Sequence, residues 1–133
     1  MLARGRFDVE FHSEPPFDEV DGVTYGRTRV QKRFAGDLQG TSVVHMLGVR
    51  TKVAGSAAYV ALERVDATLD GRRGSFALIH RGVMSGGAAS LTVEVAPDSG
   101  TGELAGLRGS MTIENVAGEH SYVFDWELSR TSP

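Results

Sequence analysis

Glu63 and His80 stand in the stretch YVALERVDATLDGRRGSFALIHRG, Tyr59 to Gly82, otherwise rich in Val, Ala, Leu, Ile and Phe. A carboxylate and an imidazole held together away from water form an acid–base pair, and either can move a proton on a bound substrate. Burial raises a carboxyl pKa and a neighbouring imidazolium lowers it, so the net direction is open from sequence. The alternative role is structural. Buried polar groups must satisfy one another, and such a pair can fix strand register and hold water.

The elements that position this pair follow from alternation. Apolar residues recur with period two on both sides of Asp70-Gly71-Arg72-Arg73, which is the pattern of a β-hairpin. A four-residue loop at 70–73 sets Glu63 opposite His80. A two-residue loop at 70–71 sets Glu63 opposite Leu78, with His80 on the diagonal. A shift of two residues preserves alternation, so in both registers the two side chains share a face. Opposed Cβ atoms lie about 4.5–5.5 Å apart and diagonal ones about 7–8 Å, still within reach of a glutamate. That face also carries Tyr59, Ala61, Val65, Leu69, Phe76 and Leu78, whereas the other carries Arg64, Asp66, Thr68 and Arg81. The first face is the drier.

His45, in SVVHMLGV, is a second binding candidate; it shares a face with Val43, Leu47 and Val49 on a segment apolar on both faces. Tyr59, Phe76, Leu78, Phe124 and Trp126 are candidates to wall a cavity around Glu63 and His80, although aromatic residues on strands also serve as plain core. His12 and His120 fall at strand ends. The histidines lack the close spacing of a compact metal site, and the chain has no cysteine, so no metal or thiolate chemistry is expected. GTGELAGLRG lacks the Lys-Ser/Thr ending of a phosphate loop and a following helix, and no serine sits in a nucleophile elbow. No cofactor is expected.

Elsewhere period two persists. RFDVEFH sets Phe7, Val9 and Phe11 against polar neighbours, ASLTVEVA does so with Leu91, Val93 and Val95, and SYVFDWEL with Tyr122, Phe124, Trp126 and Leu128. The pattern predicts strands near 3–12, 23–35, 39–50, 56–68, 74–84, 87–96, 108–116 and 120–129, and no helix. Seventeen glycines fall mostly between these segments, as turn residues do. A chain of 133 residues fits one domain spanning 1–133. Eight short strands with glycine-marked corners favour an all-β barrel or sandwich, and closure removes exposed edges. SEPPFDEVDG, 13–22, reads as irregular because two prolines remove backbone donors. GDLQGTS, TLDGRRGS and GELAGLRGS resemble one another, as a repeated unit or as convergent turn chemistry.

The net charge is −3, and no basic stripe with aromatic spacing runs along the chain, so nucleic acid is not an expected partner. RTRVQKRF puts Arg27, Arg29, Gln31 and Arg33 on one strand face and Thr28, Val30, Lys32 and Phe34 on the other; a solvated outer face explains it. No apolar run suits a signal peptide or membrane span, so a cytoplasmic location without membrane association is the expectation. Val60, Leu62, Ile79 and Val83 project from the face opposite Glu63, which predicts a homo-oligomer, most simply a dimer.

FAGDLQG, the Tyr59–Gly82 stretch and SGTGELAGLRGS, in that order, resemble the bacterial family catalogued as domain of unknown function 3224, over roughly Phe7 to Leu128. That family resembles the allene oxide cyclase barrels, and the resemblance implies eight antiparallel strands around a ligand-sized cavity and an oligomer. The wider barrel group includes cyclases and isomerases that work without metal or nucleotide. The resulting expectation is a barrel that binds a small apolar molecule and acts as a cofactor-independent isomerase or cyclase, with Glu63 and His80 transferring protons. A non-catalytic ligand-binding barrel and a structural barrel with a packed interior are the alternatives.

Overall fold

The computed structural model describes residues 1–129. Its strands are β1 (Leu2–Ser13), β2 (Asp18–Val20), β3 (Val23–Gly36), β4 (Leu38–Arg50), β5 (Ala57–Leu69), β6 (Arg72–Ser85), β7 (Ala88–Val95), β8 (Leu107–Val116) and β9 (Glu119–Leu128). One turn of 3-10 helix, Gly102–Leu104, is the only helix among the described residues. The sheet runs β1-β9-β8-β7-β6-β5-β4-β3, and β1 pairs back onto β3, closing eight antiparallel strands into a barrel. The predicted strands match this set closely.

β2 is an addition that the prolines concealed. It pairs with the start of β3, Asp18↔Tyr25 to Val20↔Val23. The turn between them holds Asp21 at φ 49° and Gly22 at φ 80°, the tight left-handed geometry whose twist suits a hairpin. Pro15 and Pro16 end β1 without preventing the chain from pairing again at once: Phe17 N–H donates to the Tyr25 carbonyl at 3.0 Å, and β2 begins at Asp18. Of the two registers open for the central hairpin, the two-residue loop is the one formed. Asp70 and Gly71 take φ 50° and 74°, and Glu63 pairs with Leu78 while Ala61 pairs with His80.

One end of the barrel is solid. The three similar corners all lie at this base, and each contributes a leucine: Leu38, Leu69 and Leu104 are 0%, 1% and 0% exposed. Leu38 and Leu69 are direct cross-strand partners. The 3-10 turn lies against β6, with Thr101 N–H donating to the Ser75 carbonyl at 2.8 Å. Gly74 permits that approach, because a Cβ there would collide with the Thr101 carbonyl oxygen. The glycine-rich loop is therefore a base closure, and its Leu104 caps the core.

Tyr122 joins the first and last strands to the β3–β4 corner. Its hydroxyl donates to the Ala35 carbonyl at 2.9 Å and accepts the Leu38 N–H at 2.9 Å. A Cβ on Gly5 would strike both the Ala35 carbonyl oxygen and this hydroxyl. Gly5→Ala is therefore expected to lose about 1–3 kcal/mol, the usual cost of overpacking, measured as a lower urea midpoint with unchanged slope. An unshifted midpoint would show that the corner yields without strain. The barrel is less uniform elsewhere: β7 and β8 meet through one bridge pair, Glu94↔Ser110, whereas β8 and β9 pair from Leu107↔Leu128 to Val116↔Glu119.

Candidate functional site

Four neighbouring strands each send one polar side chain inward at the same level. Lys32 comes from β3, Ser42 from β4, Glu63 from β5 and His80 from β6; they are 9%, 4%, 0% and 4% exposed. Glu63 is the hub. Its Oε1 accepts from Lys32 Nζ at 3.1 Å and lies 2.7 Å from His80 Nε2, and its Oε2 accepts from Ser42 Oγ at 2.5 Å. An ionised carboxylate only accepts, so His80 presents Nε2–H to it. Lys32 also sits over the Phe7 ring, 4.7 Å from its centroid, a contact that favours a cation.

Opposing forces act on the Glu63 carboxyl. Burial pushes its pKa up, but the His80 hydrogen bond, the Lys32 charge and the Ser42 hydrogen bond outweigh this and hold it below the ordinary value. The carboxylate is thus ionised and compensated by Lys32. Tyr59 lies two inward positions from Glu63 along β5, toward the open end; burial, and then the Glu63 charge, push its phenol pKa up. It stays neutral and keeps its hydroxyl proton.

The open end contains a cavity of about 600 Å³. Met46, Tyr59, Met84 and Leu91 give it an apolar wall, and Glu14 and Arg50 stand at its rim. Between this cavity and the polar belt lie Val30, Val44 and Ala61, buried and packed against one another. On β6 the intervening position is Gly82. A Cβ on Gly82 would collide with the Tyr59 ring, so Tyr59 covers the place where a β6 side chain would otherwise stand.

Two further glycines line the cavity, Gly26 and Gly48. They are direct cross-strand partners on β3 and β4. Glycine weakens a strand interior, yet neither position requires it sterically. A Cβ on Gly26 would meet nothing within 4 Å, and one on Gly48 would make only ordinary contacts, 3.5 Å to the Ala58 carbonyl and 3.7 Å to Tyr59 Cβ. Neither has a left-handed φ. Their missing side chains are space in the cavity.

The structure brings Glu63, His80 and Tyr59 together on the inner face, as alternation indicates. It separates the other candidates from them. His45 is exposed and points outward, because Val44 and Met46 are the inward residues of β4; it lines a groove on the outer wall. Phe76, Leu78, Phe124 and Trp126 belong to the packed core and line neither cavity. They occupy the base half of their strands, so the expectation of a cavity wall built from the Trp126 strand is corrected. Phe76 and Phe124 stack there, their centroids 5.7 Å apart.

Lys32, Ser42, Gly26 and Gly48 were not singled out from sequence. Lys32 had a usable signal: alternation places it with Val30 and Phe34, on the apolar side of an otherwise basic segment.

The comparisons agree with this architecture. No curated protein matches the chain. A crystal structure of a protein of unknown function from the DUF3224 family of Shewanella oneidensis MR-1 is similar to it, with a TM-score of 0.92 and 42% identity over 98% of each chain. The family model described as "Protein of unknown function (DUF3224)" matches residues 3–126, nearly the whole barrel, and the chain belongs to that family.

Proposed function

We propose that this barrel binds a small, predominantly apolar molecule in the cavity at its open end. The supporting observation is the Gly26–Gly48 pair. These glycines have no steric or conformational reason to be glycine, they weaken the strands that carry them, and they keep the cavity open. The ligand's apolar body would lie against Met46, Tyr59, Met84 and Leu91, with any polar end at the rim near Arg50. The volume suits one small ligand. The resemblance to allene oxide cyclase barrels belongs to the same reading.

Gly48→Leu tests it. The substitution fills the cavity with a good strand residue at an unstrained position, so thermal stability is expected to stay level or rise. Binding of the probe 1-anilinonaphthalene-8-sulfonate, followed by fluorescence, is expected to weaken at least ~10-fold, since the added side chain occupies the probe's space. Leu62→Glu, on the outer wall, serves as the control and should leave probe binding intact. Binding that survives Gly48→Leu but is lost in Leu62→Glu would assign the probe to the outer wall and defeat the reading.

A second reading makes the barrel a cofactor-free isomerase or cyclase with Glu63 and His80 moving protons. It is favoured by Gly82: above His80 on β6 no side chain intervenes, and the Tyr59 ring covers that place. Access from the cavity would require movement of this ring, beside the layer that Val30, Val44 and Ala61 close. Against it, Glu63 is held as a carboxylate by three partners, which stabilises it and weakens it as a base.

A further inference from the structure

The Gly26–Gly48 pair belongs to a longer cross-strand row. Gly26, Gly48, Tyr59, Gly82 and Leu91 follow one another across β3 to β7, each the direct partner of the next. Three of these five positions have no side chain, and Tyr59 stands between them. Its ring leans to one side, over Gly82, where a Cβ would lie 3.0 Å from the ring carbon that bears the hydroxyl. The other side of Tyr59 is bare. Neighbouring strands are about 4.8 Å apart, so Gly26 and Gly48 expose a strip of backbone two strands wide. Glycine inside a strand often marks the close approach of a ligand. With no Cβ on either strand, this strip is flatter than the lining around it and suits the face of a ring.

Tyr59 sets the chemistry at the inner end. It packs on the layer of Val30, Val44 and Ala61 beneath the cavity. Its hydroxyl makes no hydrogen bond to any of the described residues, whereas the Ser13 and Thr28 hydroxyls of the same lining pair with each other at 3.3 Å. The phenol is thus a donor without an acceptor. Burial and the Glu63 charge, which keep it protonated, also oppose a second negative charge beside it. The charged groups of the lining, Glu14, Arg27 and Arg50, are all exposed, and water and salt screen them there. We infer that the cavity takes a flat ring compound whose inner end is an uncharged carbonyl group, with the ring face on the Gly26–Gly48 strip and the carbonyl oxygen accepting from the Tyr59 hydroxyl. The inference rests on the proposed cavity ligand and narrows it; an anionic group, where a ligand has one, is left to the rim.

Three fluorescent probes separate the parts: 6-propionyl-2-(dimethylamino)naphthalene, its 6-propyl analogue without the carbonyl, and its 6-carboxylate analogue. Each is titrated into the folded chain. The parent should bind the ketone at least ~5-fold more tightly than the propyl analogue, the worth of one hydrogen bond. Tyr59→Phe keeps the ring and deletes the hydroxyl, so it should bring these two to equal affinity. It should leave the carboxylate, anchored at the rim, unaffected. Gly48→Ala places one methyl group on the strip and should weaken the ketone about 10-fold. Equal binding of ketone and propyl analogue by the parent would overturn the carbonyl assignment, and so would a preference that persists in Tyr59→Phe. In both cases loss of the probes in Gly48→Leu would leave the cavity reading standing. A carboxylate weakened by Tyr59→Phe as much as the ketone would put an anion at the inner end, and undiminished ketone binding in Gly48→Ala would take the ring off the strip; each overturns the inference. Ketone binding that is absent from the parent, or that Gly48→Leu leaves unchanged, defeats it too, and the second result defeats the cavity reading with it.

Discussion

Replacing Glu63 with alanine should remove about 3–5 kcal/mol of stability, the penalty for deleting one partner of a buried ion pair. The loss is large because three groups lose their partner at once: Lys32 keeps a buried charge with no counterion, His80 keeps an N–H with no acceptor, and the buried Ser42 hydroxyl loses its acceptor. Urea unfolding measures it. The double variant Lys32→Met/Glu63→Leu should recover at least half of that loss, because it removes the charge together with its partner. A loss under about 0.5 kcal/mol for Glu63→Ala, the range of an ordinary surface change, would show that water enters the belt and that these groups are not dry.

The same hub predicts an acid dependence. The folded pKa of Glu63 lies below its ordinary value of 4.5, so the unfolded chain takes up this proton first as pH falls. The contribution is complete above about the ordinary value and is lost as pH drops through the lower folded value. The urea midpoint of the parent should therefore fall below pH 4.5 more steeply than that of Lys32→Met/Glu63→Leu. Parallel acid profiles would remove Glu63 as the source.

Phe124→Ala is expected to have a comparably large effect, about 3–5 kcal/mol, for a different reason. Phe124 is wholly buried and stacked on Phe76 in the base half of the barrel, where the solid packing leaves little room for collapse around a deleted ring. Its distance from the mouth makes a second readout informative. Folded Phe124→Ala should bind the fluorescent probe as the parent does, whereas Gly48→Leu should not. Impaired probe binding in folded Phe124→Ala would extend the binding cavity into the base.

Much of the fold is legible in the residues because strand alternation is strict and the turns are chemically explicit. Glu63 and His80 could be placed together inside the barrel before either hairpin register was known, since the two registers differ by an even step. The remainder depended on information that alternation does not carry. Lys32 lies in a run of basic residues whose other members are solvated, and only its place between Val30 and Phe34 marks it as buried. His45 sits on a strand apolar on both faces, so polarity could not tell inside from outside. Nor does a strand pattern say at which level the interior changes from packed to hollow. Gly26 and Gly48 mark that level, yet in sequence they look like the turn glycines found throughout this chain.

The ring is closed by strands from opposite ends of the sequence, and this constrains the order in which it can be made. During synthesis β1 can pair with β3 as soon as that strand emerges, and β4 to β7 then extend the sheet one hairpin at a time. The β8–β9 hairpin comes last. It must enter between β7, where it gains one bridge pair, and β1, where it gains the run from Leu2↔Asp125 to Phe7↔His120. Until it arrives, the nascent sheet presents two long unpaired edges, the form most prone to joining a neighbour. The hazard of misassembly is therefore concentrated in the interval before β8 and β9 emerge, and a chain cut short before β8 keeps both edges open for as long as it survives.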